Sequence, residues 1–288
     1  MRQALVETAR AKVNLTLRVL GRRADGYHEL QSLVAFADVG DGIEYLPDAP
    51  PTVTVRGRFA EAIAGTNIAA LALEKVVTAA PGLELGAVSI EKRLPVAAGV
   101  GGGSADAAAV LRAIRRANPE QDTAVDWHAI AASLGADVPV CLLSAAQFMW
   151  GTGHDTAVLP PLPPLPAILV NPGVPLATAA VFRALAAPPL PTPLPEPLLP
   201  GVFPHAAAVV AYMRDNANDL EPTAASLCPP IGAVLTALRV LPGVQIARMS
   251  GSGPTCFAVF DTAGAAAEAA RQIRNREANW WAEATTLS

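Results

Sequence analysis

The sequence predicts a two-domain protein of the α/β (α+β) class on three observations. Apolar and polar residues alternate through much of the first sixty positions, a glycine-rich loop then opens an alanine-rich helix, and a second series of helices and strands follows residue 145. The division is expected at 1–159 and 160–288. A chain of 288 residues can form two such units with real cores.

Residues 12–20, KVNLTLRVL, alternate and predict a strand, as do 30–38 and 52–57 more loosely. Turn clusters separate them at 21–26 (GRRADG), 40–42 (GDG) and 47–51 (PDAPP). Thr66 or Asn67 caps a helix that runs to about Ala80 and stops at Pro81-Gly82. A strand near 85–92 leads into the glycine loop. Asp126 caps a further helix that ends at Leu134, before Gly135.

Beyond residue 145, short strands at 147–150 and 156–159 flank Gly151-Thr152-Gly153. PPLPPLP at 160–166 is too rich in proline for regular structure, and 167–171 resumes as a buried strand. A second proline-dense tract, 188–204, reads as an extended surface excursion. Helices follow at about 205–215, 222–228 and 231–240, then strands at 244–249 and 255–260 around Ser250-Gly251-Ser252-Gly253, and a helix from Asp261.

Composition narrows the function. Apolar residues make up 52% of the chain but aromatics only 5%, which fits close packing of small side chains. No run reaches the ~18 apolar residues of a membrane span. The opening residues lack the continuous apolar stretch and cleavage site of a secretory signal, so a cytoplasmic protein is expected. A net charge of −4 argues against nucleic acid as a partner. Arg112, Arg115 and Arg116 are most simply a solvated helix face. Cys141, Cys228 and Cys256 form no C-x-x-C pair and read as reduced, buried small hydrophobes. The four histidines have no metal-site spacing, so any metal is expected to arrive with a nucleotide.

The most informative segment is 92–117, KRLPVAAGVGGGSADAAAVLRAIRRA. Gly99, Gly101, Gly102 and Gly103 free the backbone for close approach to a ligand, and Ser104 stands where an N-cap is expected. A helix opening this way offers unpaired N–H groups and the positive end of its dipole to an anion. The same glycines are compatible with a simple connecting turn. Neither a Walker A lysine nor G-x-G-x-x-G spacing is present.

Four more segments stand in order with the glycine loop: ARAKVNL (9–15), GRRADGYHELQSL (21–33), LGADVPV (134–140) and MSGSGPTCFAVF (249–260). Together with PVAAGVGGGSADAA (95–108) they resemble the GHMP family of small-molecule kinases, over nearly the whole chain. RADGYHELQS resembles the members whose alcohol is a methylerythritol carried on cytidine diphosphate.

The resemblance implies a two-domain fold of mixed sheets packed with helices and an active site in the cleft between two lobes, with ATP and Mg²⁺. Asp137 would be the catalytic base and Lys12 the cation that keeps it ionised and steadies the transition state. Pro95, Val96, Ala97, Ala98, Gly99, Val100, Gly101, Gly102, Gly103, Ser104 and Ala105 would surround the ATP phosphates, with Asn67 and Lys92 near adenine. Tyr27 and Phe182 would sandwich cytosine, His28 would read its polar edge, and Asn14 would hold the methylerythritol portion. Thr178 would contact substrate, and Gly251, Ser252 and Gly253 would close over phosphates or substrate. Two features depart from the family's pattern: Ala97-Ala98 where glycines are usual, and Pro254 after the Ser-Gly-Ser-Gly turn. Taken without the resemblance, a lone strand lysine is ordinarily solvated, and a Gly-Ala-Asp is ordinarily a turn. A monomer or weak homodimer is expected. Three other readings compete with it: another kinase of the family acting on homoserine, mevalonate or a sugar; a catalytically silent nucleotide-binding relative; and an Ala/Pro-rich interaction protein.

Overall fold

The structure is a computed structural model that describes residues 2–63, 65–190, 192 and 194–288. Within the proline-rich tract 188–204, Pro191 and Pro193 lie outside the described residues. The elements in chain order are β1 (Leu5–Asn14), β2 (Arg18–Arg22), β3 (His28–Leu46), β4 (Thr52–Arg56), α1 (Ile68–Ala79) and β5 (Ala87–Glu91). Next come α2 (Gly102–Ala117), α3 (Trp127–Leu134), α4 (Asp137–Leu143), β6 (Gln147–Gly151), β7 (Asp155–Val158) and β8 (Leu165–Asn171). The chain ends with α5 (Thr178–Leu185), α6 (Ala206–Asp215), α7 (Glu221–Leu227), α8 (Pro229–Arg239), β9 (Val244–Met249), β10 (Cys256–Phe260), α9 (Ala263–Arg276) and β11 (Trp281–Leu287).

The chain forms two compact units, neither continuous in sequence. The first comprises Met1–Ala11, Val39–Val96 and Gly101–Ser144; the second comprises Lys12–Asp38, Ala97–Val100 and Ala145–Ser288. The expected division at 159/160 is a sequential one and is a different partition of the chain.

In the first unit, β4 and β5 pair in parallel, and β5 pairs antiparallel with Gly42–Leu46 of β3. Helices α1 to α4 pack on one another. Along α2 the residues Ala105 to Leu111 are all buried, so alanines let neighbouring helices approach closely, as the composition implied. Asn67 caps α1 by accepting the Ala69 N–H, and Asp126 caps α3 by accepting the Ala129 N–H, both as expected. Arg112 corrects one expectation. It is not on a solvated face but donates to Glu7, to the Cys141 carbonyl and to the Thr8 carbonyl. Arg115 and Arg116 are more exposed, and they pair with Asp122 and Glu7.

In the second unit, β8 lies between β10 and β11, and β9 extends the sheet beyond β10, all antiparallel. The N-terminal part of β3 pairs with β2 and β6, β6 pairs with β7, and Leu287 of β11 lies opposite Ala37 of β3. Helices α8 and α9 cover this sheet and form its core with Ile231, Val234, Leu235, Ala269, Ala270 and Ile273. The tract after α5 is extended; its start follows β2, where Leu190 N–H donates to the Arg22 carbonyl at 2.7 Å.

Several element boundaries differ from expectation. β1 begins at Leu5, and β8 begins at Leu165, inside the 160–166 stretch expected to lack regular structure, because Leu165 and Pro166 pair with Leu287 and Thr286 of β11. The strand expected at 12–20 breaks after Asn14 and resumes at Arg18. Gly40-Asp41-Gly42 is not a turn but the middle of β3: a Cβ at Gly40 would lie 2.3 Å from the Ala9 carbonyl oxygen, so glycine is there for strand contact. β11, rich in threonine and alanine, had no clear alternation and was not anticipated.

Candidate functional site

Along the glycine loop, Ala97–Val100 belong to the second unit and the residues from Gly101 to the first. The helix starts earlier than expected. Gly101, at φ 64°, is the N-cap of α2, which corrects the N-cap assignment of Ser104 to an interior position of the first turn. Three glycines at the cap and first turn leave the leading N–H groups uncovered by side chains. Ala97 takes a left-handed φ of 53°, a conformation that costs a non-glycine residue about 1 kcal/mol. Asp137 occupies the first position of α4 rather than a turn, and Pro139 sits in the same first helical turn, where a missing N–H costs nothing.

Within the first unit, Asn67, Pro95, Val96, Gly101–Ala105 and Asp137 belong together with Lys92. Lys92 is not a loose strand-end lysine. Its ammonium is buried and donates to Asp41 at 2.5 Å and Asp106 at 2.7 Å. Burial alone would lower its pKa, but the charges of Asp106 and Asp41 outweigh that and hold it above the ordinary lysine value. Asp106 moves further: burial pushes its carboxyl up to about 7, against the opposing pull of Lys92.

Within the second unit, a connected set of contacts gathers Lys12, Asn14, Ala97–Val100, Gly251–Gly253 and Thr178. The Lys12 N–H donates to the Val100 carbonyl at 3.0 Å, and the Thr255 N–H donates to the Ala98 carbonyl at 3.1 Å. Ser250 Oγ donates to the Gly99 carbonyl at 3.2 Å and accepts the Asn14 N–H at 3.1 Å. Gly99 has φ 73°, and a Cβ there would lie 2.5 Å from the Gly253 carbonyl oxygen, so this crossing of two glycine turns admits no side chain. Asn14 is buried and its amide donates to Ser32 Oγ at 2.7 Å. Asn218 donates to the carbonyls of Met249 and Gly251, both at 2.8 Å, which fixes the second turn from below. Leu220 N–H donates to Asn218 Oδ1 at 3.0 Å, an Asx turn that leads into α7.

Beside this set lies a cavity of about 800 Å³ lined by Arg22, Tyr27, His28, Leu30, Thr178 and Phe182 among others. The rings in contact are His28 and Phe182, with centroids 4.9 Å apart and planes tilted by 33°. Tyr27 lines the same cavity but is 64% exposed, so its ring is available to a ligand. Burial, then the charge of Arg22, lowers the pKa of His28, which keeps the imidazole neutral at neutral pH. Thr178 serves both features, because its hydroxyl shares a 2.7 Å hydrogen bond with Ser252 Oγ.

Sequence reasoning missed Ser32 and the cavity-lining Arg22 and Arg183 around these sites, and Asp41 and Asp106 beneath the glycine loop. Ser250 was legible as the start of the Ser-Gly-Ser-Gly turn. Asp41 was hidden by its place between two glycines. The three cysteines are buried and unbridged, as expected. Among the described residues no cluster of three or more His, Cys, Asp or Glu could hold a metal ion, and no helix is long and apolar enough to cross a membrane.

Family models match two stretches of this chain: GHMP kinases N terminal domain over residues 63–145 and GHMP kinases C terminal over 205–279. The chain belongs to the GHMP kinase family. Its curated relatives include the 4-diphosphocytidyl-2-C-methyl-D-erythritol kinase of a Bradyrhizobium species, 47% identical over 99% of this chain and 97% of that one. The protein of the same name from Paracoccus denitrificans is 46% identical over 98% and 96%. A solved structure of 4-(cytidine 5'-diphospho)-2C-methyl-D-erythritol kinase covers 99% of each chain with a TM-score of 0.79 at 35% identity. Homoserine kinase from Cytophaga hutchinsonii shares the fold, with a TM-score of 0.70 at 17% identity over 100% of this chain and 95% of that one.

Proposed function

We propose that this kinase transfers the γ-phosphoryl group of ATP to the 2-hydroxyl of 4-diphosphocytidyl-2-C-methyl-D-erythritol, in the non-mevalonate route to isoprenoid precursors. The observation that carries this reading is 47% identity, over 99% of the chain, to a relative of that name. The cavity of Tyr27, His28 and Phe182 supports it, since an aromatic-lined pocket with a neutral imidazole suits a pyrimidine base.

In this reading Asp137 accepts the hydroxyl proton as the oxygen attacks, and Lys12 offsets the charge that gathers on the transferring oxygens. The loop from Pro95 to Ala105 holds the triphosphate with backbone N–H groups. Mg²⁺ carried on the triphosphate would neutralise part of its charge. Asn67 and Lys92 stand on the adenine side, Lys92 through its main chain because its ammonium is engaged by Asp41 and Asp106. Asn14 holds the methylerythritol portion, Tyr27 and Phe182 face cytosine, and Gly251 to Gly253 with Thr178 hold the substrate's far end. The protein acts in the cytoplasm as a monomer or weak homodimer. Residues 1–159 and 160–288 correspond to its N- and C-terminal family portions, supported by the family matches falling on either side of that boundary.

The test is turnover of the cytidyl alcohol with Mg-ATP beside homoserine and mevalonate. Activity on the cytidyl alcohol alone is the expected result. Turnover of one of the others in its place would reassign the substrate within the same family.

A further inference from the structure

The polar cluster beneath α2 has no chemical step assigned to it. Asp41, on β3, is fully buried. Its Oδ1 accepts the backbone N–H groups of Arg93 at 2.6 Å and Leu94 at 2.9 Å, and its Oδ2 accepts from the Lys92 ammonium at 2.5 Å. That ammonium also donates to Asp106 Oδ2 at 2.7 Å, while Asp106 Oδ1 is buried without a hydrogen-bond partner. The cluster lies against the start of the helix: a Cβ on Gly102 would be 3.6 Å from the Lys92 nitrogen and 3.9 Å from Asp41 Oδ2.

Stability alone does not account for this arrangement. Two carboxyls around one ammonium leave either a surplus of negative charge out of water or, with Asp106 raised to about 7, a proton held on one of them, and an apolar trio of equal volume often serves folding as well or better. A bare buried carboxylate oxygen adds a further cost. What the cluster does is geometric. Lys92 precedes the glycine loop and Asp106 follows it, so one ammonium pins both ends of the segment between them. Asp41 adds two backbone hydrogen bonds at the leading end. A helix that opens on Gly101-Gly102-Gly103 has little rigidity of its own.

We infer that Asp41, Lys92 and Asp106 act as a brace that fixes the first turn of α2, so that its free N–H groups stand ready for the nucleotide phosphates. Asp106 is thereby a positioning residue for phosphoryl transfer. This rests on the reading of the glycine loop as the phosphate site. Donors that need no reorganisation on binding or reaction are the effective ones, and supporting contacts behind them supply that order.

Asp106→Leu and Asp106→Asn test it. The first leaves Lys92 and Asp41 as a balanced pair, so a cooperative thermal melt is expected. Its KM for ATP should rise about tenfold while kcat changes less than about threefold and the KM for the alcohol holds. Amide exchange at residues 105–108, whose N–H groups are held by the first turn of α2, should speed up by about tenfold or more. Asp106→Asn keeps an oxygen for the ammonium and should stay within about threefold of the parent in KM for ATP. A folded Asp106→Leu with KM for ATP within about twofold of the parent, or with unchanged exchange at 105–108, overturns the brace. If Asp106→Leu does not fold, Asp41→Asn replaces it: it keeps an oxygen for the Arg93 and Leu94 N–H groups and weakens the Lys92 link. A rise of about threefold in KM for ATP is then expected, and no rise overturns the brace. Gly103→Val separates the two ideas. If it raises the KM for ATP and the brace variants do not, the brace alone fails; if it leaves the KM for ATP unchanged, the phosphate-loop reading fails.

Discussion

Thr178 and Ser252 share a hydrogen bond of 2.7 Å between their hydroxyls, and through it the wall of the aromatic cavity is joined to the Ser-Gly-Ser-Gly turn. A ligand that fills the cavity therefore meets a turn that also holds the backbone at Gly99. Thr178→Val keeps the shape and removes the bond. Its KM for the cytidyl alcohol should rise about 2- to 10-fold, the worth of one hydrogen bond, with the KM for ATP unchanged. Steady-state kinetics with each substrate varied in turn checks this.

Asp137→Ala removes the group assigned to proton transfer. Turnover should fall by ~10²–10⁴-fold with only modest change in nucleotide affinity. Single-turnover rates together with calorimetric titration of ADP separate the two quantities. Undiminished turnover would remove Asp137 from the chemistry.

The carboxyl of Asp106, raised to about 7 in the folded protein, predicts an unusual stability profile. Its unfolded value is that of an ordinary aspartate, so between roughly pH 4 and pH 7 the folded state binds the extra proton. This group therefore favours folding most at the acid end of that window, and its contribution is lost as pH rises through about 7. Asp106→Asn should flatten this part of the curve. Denaturant midpoints for parent and variant, measured across the window, give the slope directly.

His28 predicts an acid limb. Its imidazole is held neutral by burial and by Arg22, so kcat/KM for the cytidyl alcohol should be flat near neutrality and fall only at lower pH. His28→Gln should abolish that limb while keeping a polar edge. A pH profile of the two proteins is the measurement.

Two glycines with left-handed backbones should respond differently to a methyl group. At Gly82 there is open space, so Gly82→Ala should cost only about 1 kcal/mol for the backbone conformation. At Gly99 the new carbon would press on the Gly253 carbonyl, so Gly99→Ala should cost at least about 2 kcal/mol. Urea denaturation compares them.

How far the sequence carried can be traced residue by residue. Asn67, Asp126 and Gly135 set helix ends by local chemistry, and those ends were found where the capping side chains put them. The glycine loop was legible for the same reason, although its cap is Gly101 and not Ser104, because a left-handed glycine ended the loop three residues sooner. Asp41 could not be read: its partners Lys92, Arg93 and Leu94 come from the segment after β5, and nothing local distinguishes a buried Gly-Asp-Gly from a turn. Arg112 was misread as solvated because Glu7, its partner, is more than a hundred residues away. Likewise β11 is defined by its neighbours β8 and β3 and carries no pattern of its own.

The pairing of Leu287 with Ala37 bears on how the molecule is made. A strand synthesised early has an edge that β11, made much later, covers, so a chain without β11 leaves that edge open to other chains. Removal of Trp281–Leu287 should accordingly show itself first as aggregation during production, well before any effect on turnover is measured.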